Sequence, residues 1–181
     1  IFWARSSDRA FFCSGTPSAE ITVFAWPKPG SYTLVPQTKT IRDVKRLARQ
    51  HYALDSEGIH GPSHWERVCE NGLFLARHSE ADSTIVQLFS CLHDCCRENE
   101  QDDPGHGERA AVFSETLRDQ LLLSNEDFAK LRYACTWHTD GRTSDDPTIG
   151  ACWDADRLDL GRVFSAGPDP RYFSTPVARH P

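Results

Sequence analysis

Apolar residues recur at helical spacing along most of the chain from about Thr38 onward. Ile41, Val44, Leu47 and Ala48 fall on one face of a helix, with Arg42, Lys45, Arg46 and Arg49 facing water. Gly58 to Pro62 interrupts the period. Pro62 suits the first turn of a second helix, which carries His64, Trp65, Val68, Cys69, Leu75 and Ala76. Asp82 is placed to cap a third, where Ile85, Phe89, Leu92 and Cys96 share a face with Val86 and His93 beside it. An acidic stretch from Arg97 to Gly105 follows. A fourth helix then starts near His106, with the stripe His106, Ala110, Phe113, Leu117 and Leu121. Ser124, three residues before Asp127, is close to a capping box and opens a fifth, with the stripe Phe128, Leu131, Cys135 and His138. The polar turn from Thr139 to Pro147 leads to a sixth, on which Ile149, Trp153, Asp156, Leu160 and Val163 line up. The Pro-containing tail from Gly167 is expected to wrap the surface. The pattern predicts an all-α fold, a compact helical bundle of about six helices over residues 38–181.

Residues 1–37 read differently. Phe2, Trp3, Phe11, Phe12, Phe24 and Trp26 are scattered among Ser, Thr, Gly and Pro without a period, and Arg5, Asp8 and Arg9 break any signal-peptide core. An irregular N-terminal extension is expected there, with a short edge strand, Ile21-Thr22-Val23-Phe24, as the alternative. The chain starts with isoleucine and contains no methionine, which points to something other than a complete natural reading frame.

Composition adds limits. At 181 residues, 25% charged and 39% hydrophobic, the chain suits one soluble globular domain. No apolar run approaches the roughly 20 residues of a membrane helix, so no membrane is expected. A net charge of -6 without a long basic block argues against a nucleic-acid polymer as partner. The seven cysteines are odd in number and fall mostly inside apolar helical patterns. They read as buried free thiols in a reducing, cytoplasmic compartment. Cys91 and Cys95-Cys96 lack the second cysteine pair of a structural zinc site. The oligomeric state stays open.

The candidate chemistry begins at His93-Asp94, at the end of the apolar run Ile85 to Leu92. A carboxylate buried there needs a partner, and a metal cation would supply one. His106, His138 and Asp156 each lie on the apolar stripe of their own helix. One inward histidine usually means no more than a satisfied core residue. Several inward His and Asp residues on separate helices are met more economically by a shared metal centre. In Asp154-Ala155-Asp156-Arg157-Leu158-Asp159, periodicity favours Asp156 as the ligand. Asp154 has the weaker case for burial, and Asp159 is left to orient an arginine or cap a ligand. A solvated charged face is the plain alternative for that run. Arg97 and Arg157 border the candidate ligands and could bind phosphate, although surface ion pairing is the commoner use of an arginine. A Cys95 or Cys96 nucleophile is disfavoured by the acidic loop that follows. The sequence has no Walker loop and no Gly-rich dinucleotide turn.

A histidine in His64-Trp65-Glu66-Arg67-Val68, a His-Asp pair in Leu92-His93-Asp94 and a distal aspartate in Ala155-Asp156-Arg157-Leu158 together resemble the HD-domain metal-dependent phosphohydrolase superfamily. The resemblance covers about Ile41 to Val163 and looks nearest to small bacterial HD-domain proteins. It implies an HD-domain bundle with His64, His93, Asp94 and Asp156 as metal ligands. His106 and His138 match the two further histidines of members that hold two ions. The implied cofactor is one or two divalent transition-metal ions (Mn, Fe, Co, Ni or Zn). The implied reaction is hydrolysis of a small phosphorylated substrate, a phosphomonoester or phosphodiester, possible nucleotides included. Asp94 and Arg97 would be catalytic, and Arg97, Arg157 and Arg142 would hold the phosphate. Mononuclear nucleotidases of the family carry glutamate three residues after the paired aspartate, where this chain has Arg97. The resemblance leaves two alternatives: a di-iron oxygenase built on the same frame, and a non-enzymatic binding domain stabilised by its metal.

Overall fold

The computed structural model describes residues 38–163 and 167–179. The expected extension over 1–37, with its alternative strand, lies outside the described residues. Those described are helical, with no strand among them. The helices are α1 (Ile41–His51), α2 (Pro62–Arg77), α3 (Ser83–Leu92), α4 (His106–Glu115), α5 (Asn125–Trp137), α6 (Pro147–Asp159) and the short α7 (Pro176–Arg179).

Local chemistry starts most of them, at Pro62, Asp82 and Ser124 where the sequence placed the signals and at Thr40 and Asp146 where none was read. Thr40 and Asp43 form a reciprocal capping box on α1. The Asp82 carboxylate accepts from the Thr84 and Ile85 backbone amides at the start of α3. Ser124 does the same for Asp127 on α5, and Asp146 for Thr148 and Ile149 on α6. Pro62 and Pro147 occupy first-turn positions, where the missing N–H costs nothing.

The central element is α3. Seven of its ten residues are buried, so it has no solvated face and has to lie inside the bundle. It packs on α1, α2, α5 and α6, while α2 also packs along α6 and α4 along α5. Gly72 marks the crossing of α2 over α3, because a Cβ there would collide with Val86 Cγ1. The core contains Val44, Val68, Leu75, Phe89, Leu92, Leu131 and Trp153.

Three expectations are corrected. The α4 stripe runs past the end of its helix: α4 stops at Glu115, and Leu117 and Leu121 are buried from the tight turn that follows. The α6 stripe does not stay inward, since Leu160 and Val163 are 37% and 40% exposed once the helix tightens into a 3₁₀ turn at Leu160–Arg162. The tail does not merely wrap the surface. Phe173, Thr175 and Ala178 are buried, and the tail is tied down by Asp154.

Gly107 sets how closely α4 approaches α5. A Cβ on it would strike the Cys135 and Thr136 carbonyl oxygens and come within 3.2 Å of His138 Nδ1. Gly107→Ala should therefore destabilise the protein by about 1–3 kcal/mol through overpacking, read as a lower urea midpoint with an unchanged slope.

Candidate metal centre

His64 sits in the first turn of α2, His106 at the first residue of α4, and Asp156 in the last turn of α6. His93 and His138 are the residues at which α3 and α5 end. Asp94 follows in the turn after α3. The bundle thus brings all six predicted ligands together.

Two adjoining clusters result. In the first, His64 Nε2 and His93 Nε2 are 3.2 Å apart. Asp94 Oδ2 lies 3.6 and 3.5 Å from those nitrogens, and Asp156 Oδ1 lies 3.3 and 3.7 Å from them. In the second, His106 Nε2 and His138 Nε2 are 2.8 Å apart, with Asp94 Oδ1 at 3.2 and 3.4 Å. Asp94 gives one oxygen to each cluster. Ligand atoms about 2.0–2.2 Å from a common ion are separated by roughly 3 to 3.5 Å, so both clusters have suitable edges.

Hydrogen bonding fixes what these atoms can offer. His93 Nδ1 faces the Phe89 and Ser90 carbonyls at 3.2 and 3.1 Å. His106 Nδ1 faces the Asp103 carbonyl at 2.6 Å, and His138 Nδ1 the Cys135 carbonyl at 2.7 Å. A carbonyl only accepts, so each Nδ1 carries the proton. His64 Nδ1 likewise faces Asp159 Oδ2 at 2.7 Å. Asp159 stays ionised because Arg67 and His64 outweigh the effect of its burial and hold its carboxyl below the usual range. With Nδ1 committed in this way, Nε2 is the atom that each of the four imidazoles turns toward the two carboxylates and has to offer an ion. Such a set of buried acceptors fits a divalent cation, with the outward Nδ1 bonds that orient metal-binding imidazoles.

The electrostatics express the same demand for positive charge. Burial would lower the His64 pKa, but bonds to Asp156 and Asp159 and the Asp94 charge outweigh it and push it up to about 9. Asp156, although buried, is brought down to about 2 by His64 and His93. Burial holds His93 down at about 4, so it stays neutral. Without metal, His64 is thus protonated at neutral pH, and an ion has to displace that proton. A raised folded pKa stabilises fully below the ordinary 6.5 and is lost as pH rises through about 9. The melting temperature of metal-stripped protein should therefore fall between those pH values. That of metal-loaded protein, whose His64 is already deprotonated, should show no such fall. Thermal unfolding at several pH values with and without chelator checks this.

The clusters form the floor of a cavity of about 590 Å³, bordered by His60, Arg97, Asp103, Trp137 and Arg162. Ile59, Trp137, Leu160 and Val163 are partly exposed and give it an apolar rim. Arg97 reaches the floor, with Nη1 3.4 Å from Asp94 Oδ1. Arg157 lines the cavity, as its place after Asp156 suggests, but its two Nη groups are engaged elsewhere. Its guanidinium donates to the carbonyls of His138, Gly141, Arg142 and Tyr172, so it ties α6 to the loop after α5 and to the tail. Arg142 is exposed and is not among the cavity residues.

Asp154, read as the weaker candidate for burial, is fully buried. It is nevertheless not part of the clusters, because it binds the tail. Asp159 does what its position suggested, orienting Arg67 and His64 together. Sequence reasoning missed the His60–Glu100 pair, at 2.7 Å, in which Glu100 also receives the Tyr52 hydroxyl at 3.2 Å. Its only signal was a histidine one turn before His64. Six cysteines are free, and the seventh, Cys13, lies outside the described residues. No described helix is long and apolar enough to cross a membrane.

No family model matches the sequence, and no curated protein does. The fold does match a solved structure, a predicted HD superfamily hydrolase from an uncultured Thermotogales bacterium. The two share 27% identity with a TM-score of 0.61, over 76% of this chain and 80% of the other. In its architecture, this all-helical bundle, which gathers a histidine, a His-Asp pair and a distal aspartate, is similar to that predicted HD superfamily hydrolase.

Proposed function

We propose that the protein is a metal-dependent phosphohydrolase that cleaves a small organic phosphomonoester or phosphodiester. The observation that carries this reading is the convergence of four imidazole Nε2 atoms and two ionised carboxylates, all but His93 lining one cavity. Its HD superfamily neighbour, described as a predicted hydrolase, supports the reaction class. When bound, a divalent cation supplies Lewis acidity, which lowers the pKa of water and polarises a phosphoryl oxygen.

The chain's own groups divide the remaining work. Asp94 is held well below the usual carboxylate range by the imidazoles, chiefly His93, that outweigh its burial. It stays ionised and so orients a water by accepting its hydrogen bond. Arg97 presents positive charge at the floor, where an anionic phosphoryl oxygen would approach. His60 lines the cavity with Nδ1 engaged by Glu100, which leaves its other nitrogen free to accept a proton from the attacking water and return it to a departing alkoxide. Arg157 lines the same cavity, but its Nη1 and Nη2 donate to backbone carbonyls, which favours Arg97 over it as the phosphate ligand. The apolar rim favours an organic substituent over bare polyphosphate.

The test is a panel of phosphomonoesters and phosphodiesters, assayed on protein stripped with chelator and reloaded with Mn, Fe, Co, Ni or Zn. Turnover that returns with a metal and disappears with chelator is the expected result. Absence of turnover on every phosphoester with every metal, alongside oxygen consumption by the iron-loaded protein, would transfer the protein to oxidative chemistry.

A further inference from the structure

The two halves of the centre are unequal, and Arg97 is the reason. The first cluster has four donor atoms, from His64, His93, Asp94 and Asp156. The second has three, from Asp94, His106 and His138. Beside that second cluster stands the Arg97 guanidinium, itself only 7% exposed. Its Nη1 lies 3.2 Å from His106 Nε2 and 3.4 Å from Asp94 Oδ1, within hydrogen-bonding reach of two of the three donors.

A guanidinium has no acceptor and does not deprotonate. The contact with His106 Nε2 is therefore a donation into the lone pair that a metal would otherwise use, because His106 Nδ1 already carries the proton for the Asp103 carbonyl. The rest of the side chain is fastened in place. Nη2 donates to the Gln101 carbonyl at 2.7 Å and Nε to the Asn99 carbonyl at 3.3 Å. An ion about 2.1 Å from His106 Nε2 would lie at most roughly 5 Å from Nη1, in a buried setting where like charges repel strongly. Among the described residues no comparable cation touches the first cluster: Arg67 and Arg162 meet Asp159, behind His64, and Arg162 also donates to the Ile59 carbonyl.

We propose that the protein holds one divalent ion tightly, at His64, His93, Asp94 and Asp156. The Arg97 guanidinium serves the Asp94–His106–His138 cluster as a tethered cation, and it keeps a second divalent ion out. This rests on the reading of the clusters as a metal centre, but not on the identity of the substrate.

The test is metal counting on the full chain, stripped and then titrated with Mn²⁺, with elemental analysis and electron paramagnetic resonance as readouts. The wild type should bind one Mn²⁺ and show the resolved hyperfine pattern of an isolated ion. Arg97→Met keeps the bulk and removes the charge. It should take up a second equivalent, on the order of 10- to 100-fold more tightly than the wild type does, and show an exchange-coupled spectrum. Adding His106→Ala to Arg97→Met should return the count to one. His106→Ala alone should leave the single ion in place, which keeps the proposal testable if Arg97→Met does not fold. Two ions of similar affinity in the wild type, one ion in folded Arg97→Met, or loss of the ion in His106→Ala would each overturn it. A wild type that binds no ion at all would instead remove the metal-centre reading itself, and this inference with it.

Discussion

Asp94→Asn should abolish tight metal binding and reduce phosphoester turnover on the order of 10³-fold or more, the rate equivalent of about 4 kcal/mol of lost electrophilic stabilisation. Asp94 is shared by both clusters, one oxygen facing each. Asparagine keeps the shape but replaces one oxygen with an amide nitrogen that cannot coordinate, and it removes the charge that balances a divalent ion. The side chain is almost fully buried, so no solvent can replace what is lost. The measurement is metal content of the purified variant beside its turnover, with circular dichroism to show that the helices remain. A folded Asp94→Asn protein that keeps its metal and works within tenfold of wild type would remove Asp94 from the centre.

Asp154→Ala should have the opposite profile, with a loss of about 3–5 kcal/mol in stability and no direct loss of a ligand. The Asp154 carboxylate accepts from the Ser174 amide at 2.8 and 3.0 Å, from the Thr175 amide at 2.7 Å and from the Thr175 hydroxyl at 2.8 Å. Alanine would leave those donors unsatisfied, two of them in a buried contact, and would release the segment that seats Phe173 in the core. Urea denaturation reads the change. Two residues along, Asp156→Asn should lose metal at a smaller cost in stability than Asp154→Ala, because that side chain is 17% exposed and ends in the cavity. Similar losses of stability in both variants would contradict this division between a buried anchor and a ligand.

The two aspartates also show where the sequence could be read and where it could not. The helices were legible because caps and stripes coincide: Asp82 and Ser124 lie where the apolar period begins, as Thr40 and Asp146, which were not read as caps, also do. His106, His138 and His93 were legible because a polar residue on an apolar stripe has to be accounted for. On α6 that logic loses its power. Ala151, Cys152, Trp153, Asp154 and Ala155 are all buried, so the helix has little solvent face against which a period could show. Choosing Asp156 therefore gave the right neighbour for His64 through an argument about burial that Asp154 contradicts. The tether that Arg157 forms could not be read, because it depends on four carbonyls that converge only in three dimensions. The His60–Glu100 pair, 40 residues apart, was hidden for the same reason.

The floor of the cavity is helix, whereas much of its wall is loop, and that division bears on how such a protein could change its substrate. The stretch around Thr139 and Asp140 borders the opening and carries none of the six candidate ligands, so apart from Thr139, whose hydroxyl lies 3.3 Å from His106 Nε2, its sequence could drift while the metal-binding frame stays intact. The stretch from Arg97 to Gly105 has no such freedom. It borders the same opening, yet its Asp103 carbonyl aims His106, and its Gln101 and Asn99 carbonyls hold Arg97. Substitutions or insertions there would alter substrate fit and the number of ions together. In a set of related sequences, variation should therefore gather in the first loop and be purged from the second.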